Sequence, residues 1–129
     1  MPSFFDDYSA SSDKPFADVV AAVAASAAAR GFRVLHVHDF QALLAEKGLR
    51  VEPTTLVEMC RPQFGGSMLS LDPQMSLIMP CRVAVYVKDG TTHISALRPR
   101  LIGDLLPDLA PLAEEEDALM RAIVDEAAR

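Results

Sequence analysis

The chain switches between two hydrophobic periods. Phe16, Val20, Val23 and Ala27 recur at steps of three and four, which lays one apolar stripe along a helix over 14–30. Ser12 or Asp13 can cap that helix, Pro15 suits its first turn, and Gly31 suits the left-handed stop after it. FRVLHVH, from Phe32 to His38, then alternates as a half-buried strand does. Asp39 caps a short helix over 40–47 that Gly48 closes, and TTLVEMC, from Thr54 to Cys60, forms a second strand. The segment 61–71 reads as a loop with a short helix, interrupted by Gly65 and Gly66, and 77–79 as a short extended piece. CRVAVYVK and TTHISAL flank Asp89-Gly90, a pair suited to a two-residue type I′ hairpin turn. After Pro99 the helical period returns, with Leu112, Glu116, Met120, Ile123 and Ala127 on one side of a final helix. Glu114, Glu115, Glu116 and Asp117 stand in its first turns, where the helix dipole favours negative charge. They are expected to be a solvated helix start.

Helices interleaved with strands that can pair antiparallel predict an α+β, two-layer fold. A small, largely antiparallel sheet is covered by helices on one face, and an extra helix is added at the C-terminus. The expected organisation is a flexible aromatic and acidic arm over 1–13, an α+β domain over 14–106, and an acidic amphipathic helix over 107–129. Phe4, Phe5 and Tyr8 give the arm the means to dock on its own domain or a neighbour.

Pleat parity assigns side chains to faces. The turn at Asp89-Gly90 sets Lys88 against Thr91, Tyr86 against His93 and Val85 against Ile94. Cys81, Val83, Val85, Val87, Ile94 and Ala96 then share the core face, while Arg82, Ala84, Tyr86, Lys88, His93 and Ser95 share the other. In FRVLHVH the same rule buries Leu35 and Val37 and turns out Val34, His36 and His38. In TTLVEMC it buries Val57 and Met59 and turns out Leu56, Glu58 and Cys60. The open face would therefore gather His36, His38, Glu58, Cys60, Tyr86 and His93, with Cys81 behind it. On that geometry Cys60 and Cys81 are poor disulfide partners.

Composition narrows the function. The 129 residues fit one domain with one core, and 50% hydrophobic with 23% charged residues is an ordinary globular balance. A net charge of −6 with scattered basic residues argues against a nucleic-acid surface. No apolar run reaches the roughly 20 residues of a spanning helix, and VVAAVAASAAA follows an acidic start, unlike a signal peptide. With two cysteines and no export signal, a reduced cytoplasmic setting is expected. Walker, HExxH, GxSxG and GxGxxG motifs are missing. FGGSM, from Phe64 to Met68, has the look of a phosphate-cradling turn, but an ordinary loop accounts for it. Capping and solvation account for Asp39 and Lys47.

GFRVLHVHDFQALLAEKG, then EMCRP, then LIMPCRVAVYVKDGTTHISALRP together resemble the bacterial and archaeal family known as domain of unknown function 302. The pattern falls on Gly31, Phe32, Asp39, Lys47, Cys60, Pro62, Pro80, Cys81, Gly90 and Pro99, a span from about Phe16 to Pro99. Arg61 and Arg82 stand where asparagine is commoner in that family, and glycines follow Pro62 where the family is plainly helical. The helix from about Pro107 onward lies outside the resemblance. The resemblance implies a helix-covered antiparallel sheet, apt to form homodimers, and no established activity.

The first expectation for function is a non-catalytic binding or interaction domain, a homodimer through its open sheet face, with Cys60, Arg61 and Tyr86 as candidate contacts for a small molecule. A second is a protein that holds a transition metal or haem through Cys60 with His36, His38, Glu58 or His93, since thiolate and imidazole suit zinc, copper and haem iron. A third is sulfur transfer, with Cys60 as acceptor beside backbone N–H groups that lower its pKa.

Overall fold

The computed structural model describes residues 5–129. Five strands form one antiparallel sheet: β1 (Asp7–Ser12), β2 (Arg33–Asp39), β3 (Thr54–Cys60), β4 (Cys81–Lys88) and β5 (Thr91–Leu97), in the order β1-β5-β4-β3-β2. The helices are α1 (Phe16–Ala29), α2 (Phe40–Ala45), α3 (Pro62–Leu71), α4 (Arg100–Leu105) and α5 (Ala110–Ala128), with 3₁₀ turns at Pro73–Ile78 and Pro107–Leu109. The expected α+β architecture, a helix-covered antiparallel sheet with a C-terminal helix, is the one found. No helix among the described residues is long and apolar enough to cross a membrane.

Local chemistry accounts for the element ends. The Asp39 carboxylate accepts from the Ala42 N–H at 2.9 Å and starts α2. Asp89 (φ 53°) and Gly90 (φ 77°) both take the left-handed backbone a type I′ turn requires. The resulting register pairs Lys88 with Thr91, Tyr86 with His93 and Val85 with Ile94, as the hairpin sequence dictates.

One face of the sheet is the core. Val57, Met59, Val83, Val85, Ile94 and Ala96 pack against Val19, Val23 and Ala27 of α1 and Met120, Ile123, Val124 and Ala127 of α5. A satellite cluster of Phe64, Met68 and Ala113 lies where α3 meets α5, with Met75, Met79 and Ile102 packed on it. The opposite face carries Leu56, Glu58, Arg82, Ala84, Tyr86, His93 and Ser95, none of them fully buried.

Four expectations need correcting. The arm is, from Asp7 to Ser12, the edge strand β1, paired with β5 from Asp7–Leu97 to Ser12–Thr92. Tyr8 packs on the core, and its hydroxyl donates to Asp125 Oδ1 at 2.8 Å, so the first strand is tied to the last helix. Phe4 lies outside the described residues. In β2 a register shift lies between Val34 and His36. Val34, before it, pairs with Met59 and packs on the core, against the expectation, while beyond it His36 and His38 pair with Glu58 and Leu56 and Val37 with Val57, on the faces expected. Leu35, at the shift, and Val37, on the sheet edge, are 51% and 43% exposed, because a bulge leaves its extra residue unpaired and an edge strand has no neighbour to cover it. Phe64 to Met68 are continuous helix within α3, not a glycine loop, and Leu77 and Ile78 belong to a 3₁₀ turn instead of an extended piece.

Candidate functional site

The acidic start of α5 is where the sequence reading departs furthest from the structure. Glu116 and Asp117 are each only 1% exposed. Burying a carboxylate demands a partner, and both have arginines. The Arg98 guanidinium donates to Asp117 through Nε at 3.1 Å and Nη2 at 2.8 Å, and Arg121 adds a third contact at 3.2 Å. Burial raises the Asp117 pKa, but these bonds outweigh it and hold the carboxyl below its ordinary range. Arg61, the residue before α3, donates through Nε to Glu116 Oε1 at 2.5 Å. For Glu116 burial wins over Arg61, and its pKa is pushed up.

Arg61 is itself 8% exposed. Its Nη1 reaches Gln63 at 3.1 Å and Glu115 at 3.4 Å. Its Nη2 is buried and has no acceptor among the described residues. A buried donor left unpaired costs roughly 1–3 kcal/mol.

This ion pair borders a small cavity, about 20 Å³ and partly open to solvent, between the ends of β3 and β4 and helices α3, α4 and α5. Cys60, Arg61, Met79, Cys81 and Glu116 stand on its wall with apolar neighbours such as Phe64 and Ile102. Both thiols are free. Strand pairing sets Cys81 opposite Met59, so the pleat alone would turn Cys60 to the other face. Both thiols nevertheless border this cavity and lie close enough for their charges to interact, which overturns the expectation that Cys60 stands apart among the open-face histidines. β3 ends at Cys60 and the chain turns at once into α3, bringing the thiol against that helix. A Cβ built on Gly65 would stand 2.9 Å from Cys60 Sγ and 3.1 Å from the Met79 methyl. Glycine at 65 is what allows strand end, helix and methionine to meet.

The thiols are held protonated. Burial pushes Cys60 up, and the Glu116 charge adds to it. Cys81 is pushed up to about 12, first by burial, then by Glu116 and Cys60. The Cys81 S–H points at Glu116 Oε2 across 3.8 Å. This corrects the expectation of a thiol activated by helix N–H groups.

The open-face residues fall into two groups away from that cavity. His36 and His38 lie with rings 4.3 Å apart, and His38 Nε2 hydrogen-bonds to Glu58 Oε1, which holds the Glu58 carboxyl below its usual range. Arg82 approaches Glu58 at 3.9 Å. His93 stacks on Tyr86, with centroids 5.3 Å apart, on β5 and β4. So His36, His38 and Glu58 come together, His93 joins Tyr86, and Cys60 faces the cavity. Among the described residues, no three His, Cys, Asp or Glu side chains are arranged to hold a metal ion.

Glu116 and Cys81 are the site residues that sequence reasoning missed. The signal was present: Glu116 falls on the same stripe as Met120, Ile123 and Ala127, and a carboxylate in an apolar stripe is buried with a partner.

The sequence matches the family described as domain of unknown function DUF302 over residues 8–127. The match takes in the final helix, which the resemblance above had left out. The fold is similar to the crystal structure of an uncharacterized conserved protein DUF302 from Bacillus stearothermophilus, with a TM-score of 0.87 and 25% identity, covering 98% of this chain and 100% of that one. No curated protein matches the sequence. The chain belongs to the DUF302 family.

Proposed function

We propose that this chain is a non-catalytic binding domain whose ligand seats in the cavity between Cys60, Cys81, Arg61 and Glu116. One observation carries the reading: two thiols, a buried carboxylate and a buried guanidinium with an unpartnered N–H group converge on one small space. The cavity, about 20 Å³, has room for little more than a water-sized group, so the ligand is an ion or a very small molecule. Catalysis by a thiol nucleophile is disfavoured, because the reactive species is the thiolate and both sulfurs are held as thiols.

Amide-shift mapping of the labelled protein with a panel of small acids, small thiols and thiophilic metal ions tests this. Shifts should centre on Cys60, Arg61, Gly65, Cys81 and Glu116. A panel that moves only amides around His36, His93 and Tyr86 would place the site elsewhere.

A second reading, a homodimer formed at the sheet edge, is supported by Leu35 and Val37, which stand exposed on edge strand β2. Light scattering tests it, and a strict monomer at high concentration counts against it.

A further inference from the structure

We infer that the cavity is a site for a soft, monovalent d¹⁰ cation, Cu(I) in the first instance, held by the sulfurs of Cys60, Cys81 and Met79. The inference rests on the cavity being the ligand site and names the ligand class it takes.

Sulfur is concentrated there. The chain has two cysteines and six methionines. Both cysteines and three of the methionines, Met59, Met68 and Met79, border this one cavity. Met59 and Met68 are fully buried parts of the packing. Met79 is different: it is half-buried, and its terminal methyl and Cys60 Sγ flank one point in space, the position a Cβ on Gly65 would take. Thiolate and thioether are the ligands that select Cu(I), whereas zinc in structural sites takes four nitrogen, oxygen or thiolate ligands. Two thiols and a thioether therefore select a soft ion over a harder one.

Glu116, paired with Arg61 through Oε1, leaves Oε2 facing the Cys81 thiol, so a cation drawn to the sulfurs meets a carboxylate oxygen beside them. Binding balances without any oxidant: two S–H bonds break, two Cu–S bonds form, two protons leave to solvent, and copper remains Cu(I). The bis-thiolate complex carries one negative charge. Arg61, whose Nη2 lacks an acceptor on the same cavity wall, offsets it.

The test uses the full chain, reduced and free of oxygen, with Cu(I) supplied as its acetonitrile complex and a chromophoric Cu(I) chelator as competitor. One copper per chain should be retained, with release of two protons and affinity that rises with pH. Cys60→Ser and Cys81→Ser should each weaken retention about 100-fold and Met79→Leu about tenfold, while the His36→Ala/His38→Ala double variant should bind as the parent does. One equivalent of Cu(I) should also protect both thiols of the unmodified chain from iodoacetamide, a readout that does not depend on a variant folding. Copper lost to the chelator without competition, retention unchanged in both serine variants, or retention abolished in the histidine variant overturns the inference. If Cu(I) fails while small acids or thiols still shift the Cys60, Gly65 and Cys81 amides, the ligand class falls and the binding site stands. If neither acts there, both fall.

Discussion

Two adjacent glycines in α3 do opposite things. Gly65 meets Cys60 Sγ and the Met79 methyl, whereas a Cβ on Gly66 would meet nothing within 4 Å. Gly65→Ala must displace a sulfur or a methyl in a packed wall, and should cost about 1–3 kcal/mol. Gly66→Ala fills open space on a helix and should stabilise by about 0.5–1 kcal/mol. Urea titrations of the two variants check both signs. The thiols allow a second prediction. Because burial and Glu116 raise both, alkylation by iodoacetamide should be slower than for a free thiol and should keep accelerating well above pH 9, with Cys60 ahead of Cys81. Glu116→Gln removes a shared cause of both shifts and should speed alkylation of each at fixed pH, as peptide mass spectrometry would show. At this scale the sequence says which residues bear chemistry but not what they touch. Arg61 and Cys60 were visible as candidates, whereas the encounter of Cys60 with Gly65 depends on the chain turning within two residues, which side-chain periodicity does not encode.

Elements were more legible than their neighbours. The hairpin register follows from one dipeptide, since Asp89-Gly90 admits a single tight turn and every cross-strand pair follows from it. β2 misled because its bulge inserts one residue, and alternation carries no mark of where parity is broken. In α5, dipole and solvation arguments explained the acidic run only while its residues were taken to be exposed. Asp117 supplies the test. Its folded pKa is lowered, so its contribution to stability is present above the unfolded value of about 3.9 and is lost as pH falls through the folded one. Asp117→Asn should cost about 2–4 kcal/mol at neutral pH by leaving Arg98 without its carboxylate. That cost should shrink as pH falls below about 4 and through the lowered folded value, where the parent chain loses the same ion pair. Denaturant midpoints of both proteins across that range check it.

At the level of the molecule, α5 is part of the same core as the sheet. Met120, Ile123, Val124 and Ala127 are all 0–1% exposed against Val57, Val83 and α1. A chain ending at residue 106 would uncover all of them together with Val19 and Val23. It should lack a cooperative thermal transition, measurable by circular dichroism, because large-to-small changes at even one such site cost about 2–5 kcal/mol. The helix also carries Glu116, so losing it would remove the carboxylate of the cavity as well as the cover of the sheet. The two-layer plan was readable from alternating periods, but the unity of its core was not, because only packing shows that α1 and α5 share one face.

The hydrogen bond between Tyr8 and Asp125 holds the first strand against the last helix across 117 positions of sequence. Because Tyr8 and Asp125 touch, the segments they belong to can be joined by a glycine-serine bridge and the chain reopened at the exposed tip between Asp89 and Gly90. Such a circular permutant should fold with its cavity intact, because the new ends lie at the far end of β4 from Cys81. Its sulfur-lined wall could then be studied with a fluorophore or affinity handle fused remote from the site.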